Sequence, residues 1–295
     1  MADFAQVLAN GLIAGSIYAL IAVGYTMVYG VLKFINFAHG DVAMIGAYLA
    51  FFFLGAGVAQ VPQLAFAAVA AAVACAALGI AIERFAYRPL RTAPRLTPLI
   101  TAIGMSVLLE AIATLVWGAQ FRQYALPDWP VVELAGARVT VADIAIALLA
   151  LVALAGLSWL LARTPVGADI RAVADNLELA DSLGIDVDRT ISAVFALGSF
   201  LAAIAGVLIG MEVNLIPVMG FDLGIKAFAA VVLGGIGSVP GAVLGAYAIG
   251  LAENGAAYAL GGVWKDAIAY AVMIAVLLVR PSGLLGISRE SEVKL

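Results

Sequence analysis

Residues 140–162 (TVADIAIALLALVALAGLSWLLA) and 190–211 (TISAVFALGSFLAAIAGVLIGM) are apolar, and the stretch between them, 163–189, reads RTPVGADIRAVADNLELADSLGIDVDR. Each outer run matches the roughly 20 apolar residues that a membrane-crossing helix needs. The middle carries three arginines and six acids. Each charge at a bilayer centre would cost roughly 2.5–3.5 kcal/mol, so this stretch lies at a surface between two spans. Its order is helical. Thr164-Pro165 is a capping hydroxyl followed by proline at the first helical position. Val173, Leu177 and Ala180 fall at i, i+4 and i+7 and make one apolar stripe, and Gly184 is a stop. The spacing predicts one short amphipathic helix at one face of a membrane.

Composition agrees. Of 295 residues, 65% are hydrophobic and 12% charged, against about 25% charged in a soluble domain. Such a chain cannot cover a water-facing surface. The net charge of −4 says little, because in a membrane the positions of charges matter more than their sum. The one cysteine, Cys75, lies in an apolar run and offers no disulfide framework. The one histidine, His39, excludes a two-histidine metal or catalytic arrangement. The opening MADFAQVLAN has no basic region, and the apolar run after it is too long for a signal-peptide core, so an uncleaved first span is expected.

Working outward, further spans are expected at about 7–32, 42–59, 62–82, 97–117 and 264–279. A polar knot, Asn36 to Asp41, follows the first, and residues 34–59 are also open to a re-entrant reading. Residues 224–252 are apolar but interrupted by Gly234-Gly235-Ile236-Gly237-Ser238-Val239-Pro240-Gly241. A straight helix does not tolerate that run, and two half-helices with a broken centre fit better. Broken backbone at membrane depth is allowed only where protein or a water cavity surrounds it. The fold expected is all-α, a polytopic integral membrane helical bundle of about eight apolar segments, one of them a glycine-rich re-entrant or broken helix.

Lysine and arginine set the orientation. Loop 83–95, with four arginines and one acid, the stretch 163–189, and the tail with Arg280, Arg289 and Lys294 are expected to be cytoplasmic. Counting crossings puts Lys33 inside and the N-terminus outside, and requires the broken segment to re-enter and leave on the outer side. The pairs Gly11/Gly15, Gly206/Gly210 and Gly241/Gly245 suit close helix approach, within the chain or against a second chain.

Chemistry-bearing residues are few. The sequence has no phosphate-binding loop, no G-x-S-x-G and no H-E-x-x-H, so no enzyme, metal site or cofactor is expected. Glu110, near the middle of its span, reads as a path-lining acid, a proton relay or a structural acid. Asn36 and His39 with Asp41 read as a turn support or a gate. Lys226 with Glu212 and Asp222 reads as an outer-end ion network, and Glu253 as the end of the second half-helix. Gly234, Gly235, Gly237, Pro240 and Gly241 are either a candidate translocation path, whose unwound backbone offers polar groups to a solute, or a structural bend.

Four stretches resemble a known family. RAVADNLELADSLGIDVDR (171–189) followed by FALGSFLAAIAGVLIG (195–210), the glycine-rich run at 225–253, VRPSGLLG (279–286) and INFAHGD (35–41) are similar to branched-chain amino acid ABC transporter permeases, in particular their shorter, LivH-type subunit. The resemblance implies a single transmembrane permease domain over 1–295 in a bacterial cell (inner) membrane. It implies a LivM-type second permease subunit, two cytoplasmic ABC ATPase subunits, and a periplasmic or surface solute-binding protein; membrane lipid surrounds the spans and no nucleic acid is involved. It also implies that the helix around Arg171, Val173, Asp175, Leu177, Glu178, Ala180 and Gly184 couples to the ATPase. Relatives carry branched-chain amino acids, and also urea, short amides or aromatic acids. The other readings of the residues are a secondary transporter or channel, with Glu110 as its ion site, and a non-transporting scaffold.

Overall fold

The computed structural model describes residues 2–286 apart from 56, 92, 95 and 281. Arg95, Pro281, Arg289 and Lys294, used in the readings above, lie outside the described residues. The helices are α1 (Ala2–Leu32), α2 (Ala38–Leu54), α3 (Val61–Ile82), α4 (Leu96–Trp117), α5 (Val141–Arg163), α6 (Pro165–Asp175), α7 (Leu177–Ser182), α8 (Val187–Glu212), α9 (Met219–Gly234), α10 (Val239–Leu260) and α11 (Lys265–Val279). Among the described residues, six helices are long and apolar enough to cross a membrane, α9 and α10 together make a bent seventh, and α2 is a shorter apolar helix. The molecule is a polytopic helical membrane protein, as the apolar run lengths require.

Three local expectations change. The polar loop after α4 holds a hairpin, β1 (Val131–Leu134) and β2 (Ala137–Thr140), with Val132 opposite Val139. The segment 163–189 is two helices, not one. The broken segment is longer than expected, running from Met219 to Leu260, and its arms turn through 119° about residues 235–238.

The described residues group into two compact units; three of the four boundaries fall inside α1, α5 and α9, and the fourth lies in the loop before β1. One unit comprises residues 27–127 and 152–225. Its core is α2, α3 and α8, packed through small residues: a β-carbon at Gly79 would collide with Ser199, one at Gly206 with the Ala43 carbonyl, and one at Gly46 with Ala203. Tyr124 donates to the Ala47 carbonyl (2.8 Å) and covers Gly210, and Tyr48 stacks on Trp117 at 4.9 Å.

The other unit comprises the described residues of 2–26, 128–151 and 226–286. Gly11, Gly15 and Gly250 bring α1 and α10 into backbone contact, and Gly245 lies on the Ala230 carbonyl. All three glycine pairs noted in the sequence are therefore spent on packing within the chain. The Gln6 side chain holds the hairpin by accepting from Arg138 N (2.8 Å) and donating to Arg138 O (3.1 Å). Thr140 and Asp143 exchange hydrogen bonds and cap α5. Helices α4, α5 and α11 are largely exposed and apolar.

Candidate functional site

The polar stretch begins as its residues predict. Thr164 Oγ1 accepts from Gly167 N (3.1 Å), with Pro165 in the first turn of α6. The expected single stripe then breaks at Asn176. Its backbone is extended (φ −151°, ψ 111°), ending α6, and its side-chain oxygen accepts from Leu179 N (2.9 Å), starting α7. Asparagine competes for backbone donors in this way, so it favours caps over helix interiors. Val173 and Ala180 are buried, whereas Leu177 is exposed, so the i, i+4, i+7 stripe is not one face. Gly184 is the stop, at φ +84°, with Ile185 N donating to Ala180 O across it (3.1 Å). Arg171, Asp175, Glu178 and Gly184 are exposed. On and just past α7, Leu177, Leu179 and Leu183 are exposed, the last by 72%, and Glu178, Asp181 and Asp186 are exposed near them in sequence.

The arginine loop meets this region. After α3 the chain widens into a π-helical turn, Glu83–Tyr87, and a 3-10 turn, Arg88–Leu90. The Glu83 carboxylate is fully buried. It accepts from Arg88 Nε (3.2 Å) and Nη2 (3.1 Å), from Arg91 and from Ser192 Oγ (2.8 Å). Both arginines also donate to Asp188, in the first turn of α8. Lys33 Nζ donates to the Ala174 carbonyl in α6 (3.3 Å). Lys33 and loops 83–95 and 163–189, placed on one side by charge counting, are thus in direct contact.

A cavity of about 400 Å³ lies in the same unit, lined by Ile103, Ser106, Val107 and Glu110 of α4, by Val218, Phe221 and Asp222 at the start of α9, and by Phe37. Glu110 and Asp222 place two carboxylates on its wall. Behind Ser106, whose hydroxyl donates to Asp41, the Asp41 side chain is fully buried and packs on Gly220. Asn36 and His39 are buried in the polar knot, outside that lining. Asn36 Oδ1 accepts from Tyr87 OH (2.7 Å), and its carbonyl accepts from His39 N (3.1 Å), which fixes the entry into α2.

The glycine break has a different environment. A β-carbon at Gly234 would strike the Gly241 carbonyl, and one at Gly235 would strike Gly286. Gly235 also has φ +108°, which other residues adopt only with strain. Leu284 N donates to Leu233 O (2.9 Å) and Leu285 N to Gly234 O (2.8 Å), so the chain after α11 satisfies the carbonyls that end α9. Ser238 caps α10 by accepting from Gly241 N (3.1 Å), and Pro240 and Gly237 are exposed. Gly234, Gly235 and Gly241 pack closely at this bend, whereas Gly237 has open space around it. The ion network is also rearranged. Lys226 pairs with Glu253 (3.2 Å) and Asp266 (2.6 Å), and Glu253, inside α10, is fully buried and accepts from Tyr18 OH (2.7 Å).

Sequence reasoning missed Asp222 and Ser106 as cavity residues, and the partners of Glu83. The last had a signal: Glu83 and Arg88 are five apart, a spacing that faces one way in a π turn but not in an α-helix.

Over residues 7–277 the sequence matches the family described as the permease component of branched-chain amino acid transport systems. It is 43% identical over 296 residues, covering 96% of both chains, to the high-affinity branched-chain amino acid transport permease BraD of Pseudomonas aeruginosa. It is equally similar, with the same coverage, to LivH of Escherichia coli strain K12. A probable LivH of Methanocaldococcus jannaschii is 29% identical, over 96% of this chain and 92% of that protein.

Proposed function

Because this chain belongs to the branched-chain amino acid permease family, we propose that it moves branched-chain amino acids through a bacterial cell membrane as one of two paired permeases. ATP is hydrolysed on two separate ATPase chains, and a solute-binding protein delivers the solute. The observation that carries this reading is α7. Leu177 and Leu179 on this short helix and Leu183 at its C-cap are exposed beside acidic residues, and suit insertion into a groove on a cytoplasmic partner. The lack of a phosphate-binding loop in the sequence supports a division of labour between chains. On this reading Lys33 and loops 83–95 and 163–189 face the cytoplasm.

The cavity supports the choice of solute. Glu110 and Asp222 suit the ammonium group of an amino acid, and Ile103, Val107, Val218 and Phe221 suit a branched apolar side chain. Urea and neutral amides carry no charge to balance the two acids. The volume lies within the roughly 300–1,000 Å³ usual for small-molecule sites. Asn36 and His39 act from behind, by holding the entry of α2, and the glycines at 234–241 act as a bend.

Two measurements test the reading. The double substitution Leu179→Arg and Leu183→Arg should release the ATPase subunits from purified complex while the permease stays inserted; unchanged co-purification refutes docking at α7. Glu110→Gln should raise the KM for leucine uptake about tenfold while uptake still requires ATP. Uptake that survives ATP depletion and collapses with the proton gradient would instead make this chain a secondary transporter.

A further inference from the structure

The docking helix must pass its movement to the spans, and the structure holds a side-chain connection for it. Asp188 lies four residues beyond the Gly184 stop of α7 and opens α8. Its carboxylate, about half exposed, is held by Arg88 (3.2 Å) and Arg91, and both arginines reach inward to the fully buried Glu83. Two cations and two carboxylates balance, and Ser192 closes the set by donating to Glu83 and accepting from Arg88 Nη2 (2.9 Å). Glu83 opens the π-helical turn of the α3 extension. Such π turns recur at functional sites.

We propose that Asp188, Arg88, Arg91 and Glu83 form a latch that carries displacement of the docking helix into α3, so that α3 and α8 move as one body during ATP-driven transport. These are positioning residues, since none of them lines the cavity. The arginine fork suits the task. Two-pronged guanidinium–carboxylate pairing resists rotation as well as separation, and a buried carboxylate that has lost its cations is left uncompensated. α3 and α8 already pack along the core, and Tyr87 of the π-helical turn meets Phe195 of α8 at 5.6 Å; the latch adds a charged tie between that turn and the first turn of α8.

The inference rests on the ABC permease reading, and the test separates the two. The complete transporter, with its second permease and ATPase subunits, is reconstituted in vesicles, and leucine moved per ATP hydrolysed is measured. Wild-type complex should couple the two; failure to do so refutes the permease reading. Asp188→Ala should leave the ATPase subunits bound and hydrolysing while leucine moved per ATP falls about tenfold, and Asp188→Glu should restore most of the ratio. An unchanged ratio in Asp188→Ala, or uptake and hydrolysis lost in proportion, overturns the latch. If Asp188→Ala does not assemble, Arg91→Lys carries the same test, because it keeps the charge and loses the fork.

Discussion

Two helical segments of this chain are interrupted, one at Asn176 and one at residues 235–238. At Asn176 a polar side chain ends one helix and begins the next, and the residues around it stay exposed. At 235–238 the work is done by absent side chains. Gly234 lies on Gly241, Gly235 on Gly286, and backbone donors of Leu284 and Leu285 fill the open carbonyls. The first break leaves a surface for something else to bind. The second is closed on one side by its own chain, at Leu284 and Leu285, while Ile236, Gly237 and Pro240 stay exposed. At this glycine-rich interruption, two backbones touch at Gly234, Gly235 and Gly241.

Substitutions at the two breaks should differ accordingly. Gly234→Ala should have the largest effect, destabilising the folded protein by about 3 kcal/mol, because the added carbon meets backbone rather than a movable side chain. Thermal unfolding in detergent reads this, and wild-type stability for Gly234→Ala would break the account of a packed bend. Gly184→Ala meets open space but must hold φ +84°, so it should cost only about 1–2 kcal/mol. Asn176→Ala removes one capping acceptor and should cost about 1 kcal/mol; the gain of continuous helix through 165–182, read by amide exchange, would accompany it. Leu183→Arg should change stability by less than about 0.5 kcal/mol, yet weaken ATPase association about tenfold. Loss of binding without loss of stability at Leu183, against loss of stability at Gly234, separates the exposed break from the packed one.

The span lengths were legible because hydropathy is a local property: the runs at 97–117, 140–162 and 190–211 became α4, α5 and α8 within a few residues. Thr164, Gly184 and the break near Gly235 were legible for the same reason, since capping and positive φ are set within a turn. The single helix expected over 165–184 failed because a periodic stripe ignores what Asn176 does to its own backbone. Lys226 was assigned to acids near it in sequence, but its partners, Glu253 and Asp266, are brought to it by the fold.

What the sequence determined by itself was the solvent, the approximate spans, the surface segment and the family, all of which rest on composition and short-range pattern. Only the tertiary structure decided that Glu110 faces a cavity shared with Asp222, that Glu83 is the buried end of a link to Asp188, and that the glycines of 234–241 meet the signature near the C-terminus. Each of these depends on contacts between residues far apart in the chain. Their energy is won only after the helices pack, so no local pattern carries a record of them.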